Sequence, residues 1–251
     1  LERAARSGFD LVLANKRPLS GPAGEAERLR DAVSTSGRRL RFEATVGAGL
    51  PVIDTFLKLV ESGDRVLRID GCLSGTLGFL LTELERGRRF SDSVRLAVER
   101  GYSEPDPRED LSGADVGRKA LILGRLVGFP GEPADVRLES LVPESARKVP
   151  LARFLSGLEK HDAEWERRVA GVKARGRVLR YVASVTPRTI RVGLVAVLPG
   201  EPFAALKGTD NQVAFTTARY RTHPLVIQGP GAGLAVTAAG IFNDVALLAG
   251  S

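Results

Sequence analysis

An α/β fold is expected for this chain of 251 residues, on three observations. Short apolar runs typical of strands alternate with longer segments in which apolar residues have a helical spacing. The first alternation is a strand, a helix and a strand, which favours parallel pairing in a βαβ unit. The composition, with 43% hydrophobic and 27% charged residues, is that of a globular protein with a sizeable core.

The N-terminal region supplies the βαβ unit. The apolar run from Phe9 to Ala14 predicts a short buried strand. Pro22 suits the first turn of a helix, and Gly37 suits its end. The run from Leu40 to Val46 predicts the second strand, parallel to the first.

The later elements are bounded mostly by proline or a capping residue before a helix and by glycine after it. The predicted helices cover residues 51–61, 76–84, 92–100 with Ser91 as the cap, 114–127, 152–158, and a last stretch that ends at Leu248. The predicted strands cover residues 66–69, 178–185, 190–198, 213–219 and 225–228. A glycine-rich turn, residues 229–233, leads into the last helix.

The composition excludes several classes of protein. No apolar run approaches the roughly 20 residues that cross a bilayer, so a membrane protein is not expected. Cys72 is the only cysteine, which rules out an internal disulfide and a cysteine zinc cluster. His161 and His223 are the only histidines, so a histidine-rich metal site is excluded as well. We interpret these residues as structural and expect a reducing, cytoplasmic setting.

The net charge of +7 leaves two interpretations open. A basic chain is typical of nucleic-acid binding, which would be tight and sensitive to salt. The arginines, however, are spread along the sequence, and only residues 167–180 form a cluster, as on a solvated helix face. The charge would also attract an anionic small substrate or cofactor, so we expect no nucleic-acid partner.

The chain begins at Leu1 and contains no methionine. We therefore expect a fragment or a processed chain. No signal peptide is visible, because residues 1–10 carry two arginines close to Leu1 and no apolar core.

Asp115 and Lys119 are the most informative pair of polar residues. They are four residues apart on a predicted helix and therefore share one face. Most such pairs are surface ion pairs of small consequence. This pair follows a proline-stiffened loop, residues 102–110, that concentrates four carboxylates, so it could instead bind an ammonium group and tune a proton donor.

Three further sites have two possible interpretations each. Lys16, after Asn15 at the end of the first strand, is either solvated or close to a ligand, since ligands bind beyond the carboxyl ends of strands in open α/β sheets. Glu43 and the turn 46–50 form either a buried hydrogen-bonded carboxylate or a site for a monovalent cation. The turn 229–233 is either a tight turn or a phosphate-binding loop, although G-x-G-x-x-G fails both here and at residues 47–52.

Together these segments resemble homoserine dehydrogenase. The similarity lies in residues 14–16, 43–53, 75–76, 101–119, 229–233 and 236–240, in the family's order and from one end of the chain to the other. The run from Gly101 to Lys119 (GYSEPDPREDLSGADVGRK) is the most specific. The family's N-terminal nucleotide-binding fingerprint does not occur in this sequence.

The resemblance implies a function. The family interconverts L-homoserine and L-aspartate 4-semialdehyde with NADP or NAD, in the synthesis of threonine, methionine and isoleucine. It implies a partial Rossmann-type, doubly wound nucleotide-binding domain (residues 1–47 and 229–251). It also implies an α/β substrate-binding and dimerisation domain with a mixed sheet (residues 48–228). A homodimer and a bound sodium ion are implied as well.

The resemblance also implies a role for each site residue. Lys119 would be the proton donor, oriented by Asp115, with Lys16 as a second catalytic candidate. The substrate would contact Glu104, Asp110, Asp115, Lys119, Thr76 and Tyr102. The cofactor would contact Asn15, Lys16, Gly101, Glu104, Gly231 and Gly233. Sodium would be held by Glu43 and the carbonyls of Val46, Ala48 and Leu50.

One alternative to an enzyme stays open at this stage. A chain without the nucleotide fingerprint could be a truncated, non-catalytic remnant that serves as an assembly or amino-acid-binding module. The preference for NADP or NAD, feedback regulation and fusion to an upstream kinase domain cannot be predicted from these residues.

Overall fold

The computed structural model describes residues 1–250, which fold around two sheets. The strands of this part of the chain are β1 (Leu11–Val12), β2 (Leu40–Arg41), β3 (Val66–Cys72), β4 (Arg137–Leu138), β5 (Val178–Val185), β6 (Ile190–Val197), β7 (Asp210–Thr217) and β8 (Leu225–Pro230). The helices are α1 (Glu2–Arg6), α2 (Arg17–Ser20), α3 (Ala23–Thr35), α4 (Val52–Glu61), α5 (Gly75–Glu85), α6 (Phe90–Glu99), α7 (Pro107–Leu111), α8 (Ala114–Leu126), α9 (Leu151–Ser156), α10 (Asp162–Lys173) and α11 (Leu234–Ala249). Short 3₁₀ turns occupy Glu43–Thr45, Pro133–Asp135, Glu144–Ala146 and Leu158–His161.

The predicted N-terminal βαβ unit is confirmed. β1 and β2 pair in parallel, with Leu11 opposite Leu40, and α3 connects them. α3 buries Leu29 and Val33 as part of the main hydrophobic core. Both strands are only two residues long, shorter than the apolar runs predict.

The prediction that β2 continues to Val46 is wrong, and Glu43 shows why. The carboxylate of Glu43 accepts the N–H groups of Ile53 and Asp54 at 2.8 and 2.7 Å. Its own N–H donates to Asp244 on α11 at 2.8 Å. The chain therefore turns at Glu43 to meet the start of α4, because two long-range contacts outweigh the local strand propensity of this apolar segment.

The larger sheet is mixed, as expected. Its order is β4-β6-β5-β3-β7-β8, and every pairing is antiparallel except β4 with β6. The central strand β3 pairs with β5 on one side and β7 on the other. β3 is longer than predicted and carries the chain directly into α5, so its end is the scaffold of the site described below.

Helices cover one face of this sheet. Leu179, Tyr181 and Val185 of β5 point into the core that the helices share. The intervening residue Arg180 faces the other way and is buried, where its guanidinium donates to the carbonyls of Phe203, Ala204 and Leu206. The loop after β6 is thereby fixed against the centre of the second face, while Val195 on β6 and Val226 on β8 leave the outer parts of that face open to solvent.

Two helical predictions need correction. Ser91 is not the cap of α6, because it lies within the first turn of that helix. The carboxylate of Asp162, at the start of α10, instead accepts the N–H and the hydroxyl of Ser91, both at 2.8 Å. α10 was anticipated only as the solvated helix face of the basic cluster at residues 167–180, because its sequence is polar on most sides and buries only Trp165.

Cys72 is buried and unpaired, in agreement with a structural role. Among residues 1–250, no helix combines the length and the apolar character that a membrane crossing requires.

Candidate active site

The site begins where α8 meets β5. Gly113 has a φ of 72°, in the left-handed region that favours glycine, and directly precedes α8. A Cβ added there would lie 2.0 Å from the hydroxyl oxygen of Tyr181. Glycine therefore lets the chain approach the sheet closely and turn, which places the first two turns of α8 over the end of β3.

Three charged side chains meet at this position. The ammonium of Lys119 lies 3.0 Å from Asp115 Oδ2 and donates to the carbonyl of Leu73, just after β3, at 2.7 Å. The ammonium of Lys16 lies 3.1 Å from the other carboxylate oxygen of Asp115. The carboxylate of Asp115 thus bridges the ammonium groups of Lys16 and Lys119, which are 103 residues apart in the chain.

The environments of the two lysines differ. The side chain of Lys119 is 11% exposed, whereas those of Lys16 and Asp115 are 30% and 48% exposed. Burial lowers the pKa of Lys119 below its ordinary value, against the opposing effect of the Asp115 charge. Burial works to raise the pKa of Asp115, but the charges of Lys119 and Lys16 outweigh it, so the pKa is lowered and the carboxylate stays ionised.

A second group of predicted residues is tied together by Asp110. One carboxylate oxygen of Asp110 lies 2.9 Å from the Thr76 hydroxyl, and the other accepts the N–H of Glu104 at 2.8 Å. The Thr76 hydroxyl is also 2.5 Å from the carbonyl of Tyr102. The first turn of α5 is thereby joined to the loop 102–106. Asp110 also helps to raise the pKa of Lys119 through its charge, which links the two groups electrostatically.

The remaining residues that were predicted to contact the substrate or the cofactor are less buried than Lys119. Glu104 and Tyr102 are exposed, and only the backbone of Glu104 takes part in the hydrogen bonds above. Asn15 accepts the N–H of Arg17, the first residue of the short helix α2, at 2.9 Å, and so folds the chain tightly around Lys16. Gly101 has a φ of 66° and ends α6. Of the two glycines before α11, Gly233 has a φ of 124°, which favours glycine.

The turn predicted to hold sodium surrounds Glu43. Its carboxylate caps α4, so a cation at this turn would be held by backbone carbonyls and not by that side chain. Burial raises the pKa of Glu43 to about 7. Asp244, in contact with Glu43, is also buried, and its Oδ1 has no hydrogen-bond partner among the described residues. The orphaned oxygen of Asp244 is therefore the side-chain atom near this turn that fits a monovalent cation. No group of three acidic, histidine or cysteine side chains within residues 1–250 could hold a metal ion.

One contact in the site escaped prediction. The acceptor for Lys119 is the backbone carbonyl of Leu73, which carries no signal in its residue type. Only the register of β3 and its continuation into α5 could have located it.

The comparisons with known proteins decide the family. A family model described as homoserine dehydrogenase matches residues 51–246. The chain belongs to the homoserine dehydrogenase family. The resemblance found in the sequence is therefore confirmed, and with it the α/β fold class.

Relatives of the homoserine dehydrogenase family cover nearly the whole chain. A chloroplastic bifunctional aspartokinase/homoserine dehydrogenase 2 of Zea mays is 44% identical over 97% of this chain, which spans 27% of that protein. The homoserine dehydrogenase of Schizosaccharomyces pombe is 40% identical over 94% of this chain, which spans 65% of it. The chain thus spans between about a quarter and two thirds of these relatives.

The fold is shared with solved structures of the family. A hyperthermophilic archaeal homoserine dehydrogenase in complex with NADPH has a TM-score of 0.74 and 26% identity, covering 99% of this chain and 66% of that one.

Proposed function

We propose that this chain carries the active site of a homoserine dehydrogenase, which interconverts L-homoserine and L-aspartate 4-semialdehyde with NAD(P)(H). This reaction belongs to the synthesis of threonine, methionine and isoleucine. Membership of the family supports the proposal. The observation that carries it is the buried ammonium of Lys119, fixed by Asp115 and Leu73 beside a second lysine, Lys16.

Lys119 is the proposed proton donor. When the aldehyde is reduced, negative charge develops on its oxygen, and an adjacent ammonium stabilises that charge and supplies the proton. In the oxidation of homoserine the neutral amine accepts the hydroxyl proton. Burial assists both directions, because it brings the pKa of Lys119 down toward the working range. Asp115 holds the amine in place, and Lys16 is the second candidate for the proton step.

The substrate is a zwitterion and needs separate contacts for its ammonium and carboxylate. The loop that ends at Asp110 offers anionic groups for the ammonium, with Glu104 as the proposed ligand and Asp110, Thr76 and Tyr102 in support. The exposed carboxylate of Glu104 is available for such a ligand, since the chain around it is fixed through its backbone.

NADPH or NADH would supply the hydride for reduction of the aldehyde, NADP or NAD would accept it in the oxidation of homoserine, and this chain would position the cofactor. The proposed contacts are Asn15, Lys16, Gly101, Glu104, Gly231 and Gly233. They belong to a nucleotide-binding part (residues 1–47 and 229–251), with residues 48–228 as the substrate and dimerisation part. The contact of α11 with the 3₁₀ turn after β2 supports this division, because Asp244 on α11 accepts the N–H of Glu43 at 2.8 Å and both residues lie in the nucleotide-binding part. The NADPH complex of the archaeal relative supports the cofactor.

A sodium ion is proposed at the turn after β2, held by carbonyls of Glu43, Val46, Ala48 and Leu50. The two buried carboxylates nearby, and the orphaned oxygen of Asp244, support a cation there. Sodium chloride should then raise the midpoint of thermal unfolding more than choline chloride at equal ionic strength. Equal midpoints in the two salts would count against the ion.

A homodimer is the proposed assembly, formed through the open face of the larger sheet. Val195 on β6 and Val226 on β8 are 44% and 40% exposed on that face. Exposed aliphatic side chains on a flat sheet favour a self-complementary apolar contact.

A reducing compartment such as the cytoplasm is proposed from the single buried thiol.

The test of the proposed function is NADPH oxidation that depends on L-aspartate 4-semialdehyde. It should be measured for residues 1–251 and for the complete gene product. Activity in either would support the proposal, and activity in neither would contradict it. The non-catalytic alternative predicts no turnover in both, and the assembled trio of Lys16, Asp115 and Lys119 argues against it.

A further inference from the structure

Asn211, at the start of β7, has an unusual environment. It is fully buried, and neither polar atom of its carboxamide has a hydrogen-bond partner among the described residues. Buried polar groups in folded proteins are as a rule hydrogen-bonded, and an unpaired one destabilises the fold relative to an apolar side chain of the same shape. The amide therefore indicates a partner that comes from outside the chain.

One neighbour of Asn211 belongs to the proposed active site. In the pairing of β3 with β7, Cys72 lies opposite Gln212, so Asn211 lies next to the position of Leu73. The carbonyl of Leu73 is the acceptor for the ammonium of Lys119. The Asn211 amide is therefore on the strand adjacent to Leu73, whose carbonyl holds the proposed proton donor Lys119.

The other neighbour is the glycine turn before α11. A Cβ added to Gly231 would lie 2.0 Å from the amide carbon and nitrogen of Asn211 and 2.5 Å from its oxygen. The amide thus rests directly on the Gly231 backbone, and no side chain fits between them. Leu234, the first residue of α11, is 94% exposed, so the turn borders solvent. Asn211 therefore contacts this turn on one side and lies beside Leu73, the acceptor of Lys119, on the other.

We propose that Asn211 binds the carboxamide of the nicotinamide ring, donating to its oxygen and accepting from its N–H. This inference rests on the proposed function and adds a ligand contact to it. A primary carboxamide presents one donor and one acceptor side by side, which is the complement of the asparagine side chain. The charged ends of homoserine fit this neutral pair less well. Gly231 moves aside when the ring is bound, and the absence of a side chain there allows it.

The test removes the proposed hydrogen bond between Asn211 and the nicotinamide carboxamide, first by changing the dinucleotide and then by changing Asn211. On the ligand side, the 3-acetylpyridine analogue of NADP replaces the carboxamide nitrogen with a methyl group. The unmodified protein should bind this analogue about tenfold more weakly than NADP, measured by calorimetry. Asn211→Leu, of similar shape, and Asn211→Ala should each bind the two dinucleotides with equal Kd.

A second readout needs no ligand. Asn211→Leu should unfold at a higher temperature than the unmodified protein, because an orphaned amide is replaced by an apolar group. Thr217→Val is the matched control, since Thr217 lies on the same strand and face at its other end and its hydroxyl is bonded to Asp64 at 2.7 Å. The control should unfold at a lower temperature and keep the tenfold discrimination.

The outcomes separate the two proposals. If the unmodified protein binds both dinucleotides equally, or if the two Asn211 variants keep the discrimination, this inference is wrong and the proposed function stands. A lower unfolding temperature of Asn211→Leu also contradicts it, because the amide would then be paired within the free protein. If the complete gene product neither binds NADP nor turns over substrate, the proposed function fails and this inference with it.

Discussion

Lys119 has two properties that rarely occur together in a lysine side chain, near-complete burial and three defined interaction partners. Its ammonium contacts Asp115 and Leu73, and the charge of Lys16 is close enough to affect its pKa. Burial lowers the pKa of a lysine, so a buried lysine gives up its proton more readily than an exposed one. The chemistry proposed here depends on that difference.

Lys119→Ala should lower kcat by about 10²–10⁴-fold with little change in substrate affinity, because a proton donor acts in the transition state. Steady-state kinetics with NADPH and the semialdehyde measure both. Lys160→Ala, an exposed lysine of the 3₁₀ turn Leu158–His161, is the control and should retain activity. An unchanged kcat in Lys119→Ala would move the assignment to Lys16.

Asp115→Asn should shift the pH profile. The Asp115 charge raises the pKa of Lys119, so its removal lowers that pKa further. Reduction needs the protonated amine and is lost as pH rises through the pKa. The alkaline limb of the reduction rate should therefore move to lower pH, and the acid limb of homoserine oxidation should move the same way. Asp92→Asn, an exposed carboxylate on α6, should leave both limbs in place.

At the scale of elements, Asp110 is the connection between α5 and the carboxylate-rich loop. Asp110→Ala removes the acceptor for both Thr76 and the N–H of Glu104. The loop should then hold the substrate less well, and the KM for semialdehyde should rise by about tenfold, with a smaller change in kcat. Thr76→Val should act in the same direction. A lower kcat at constant KM would assign Asp110 to the chemical step instead.

Asp64 connects α4 to the end of β7. Its carboxylate accepts from the Thr217 hydroxyl at 2.7 Å, from the Arg65 N–H at 2.8 Å and from the Arg219 N–H at 3.3 Å. Burial works to raise its pKa, but these hydrogen bonds outweigh it and lower the pKa below its ordinary value. The stabilisation is therefore present above about pH 4 and is lost as pH falls through the lowered pKa.

Asp64→Asn should accordingly be less stable than the unmodified protein at neutral pH, and the difference should shrink on acidification. Urea unfolding at several pH values measures it. Asp31→Asn, an exposed carboxylate on α3, serves as the control. A difference that is constant with pH would show that the charge of Asp64 does not contribute.

Helices and strands were predicted correctly from the sequence where the local residue pattern and the tertiary contacts favour the same structure. The hairpin of β5 and β6, and helix α8, lie within a residue of their predicted bounds. The predictions failed where a residue distant in the chain determines the local structure. Glu43 turns the chain toward α4 by accepting the N–H of Asp54, and Ser91 donates its N–H to Asp162 instead of capping its own helix. Such contacts are properties of the folded state, and neither periodicity nor capping residues reveal them.

In the candidate site, too, the contacts between residues close in the sequence were predictable and the contacts between distant residues were not. The spacing of Asp115 and Lys119 predicts their contact directly, because it is a property of one helix. The position of Lys16 against Asp115 needed the rule for strand ends and the family resemblance. The role of Leu73 and the environment of Asn211 needed the sheet register, which the sequence does not specify.

At the scale of the whole molecule, the prediction concerns the proposed homodimer and its contact through the second face of the larger sheet. Val195→Glu places a charge at the proposed dimer contact and should convert the dimer to a monomer in sedimentation experiments. Val60→Glu is the matched control, because Val60 is 46% exposed on α4, away from that face. Dimers in both variants would exclude the proposed face, and monomers in the unmodified protein would exclude the dimer.

The contact between α11 and the turn after β2 also has a consequence for synthesis on the ribosome. Asp244 binds the N–H of Glu43, and Gly240 rests on the carbonyl of Ala48, although about 200 residues separate these partners in the chain. The growing polypeptide thus exposes a hydrophobic turn and an unpaired amide until residues 234–249 leave the exit tunnel. Residues 1–47 are therefore synthesised well before the helix that completes their packing, and the apolar surface left exposed in that interval favours aggregation.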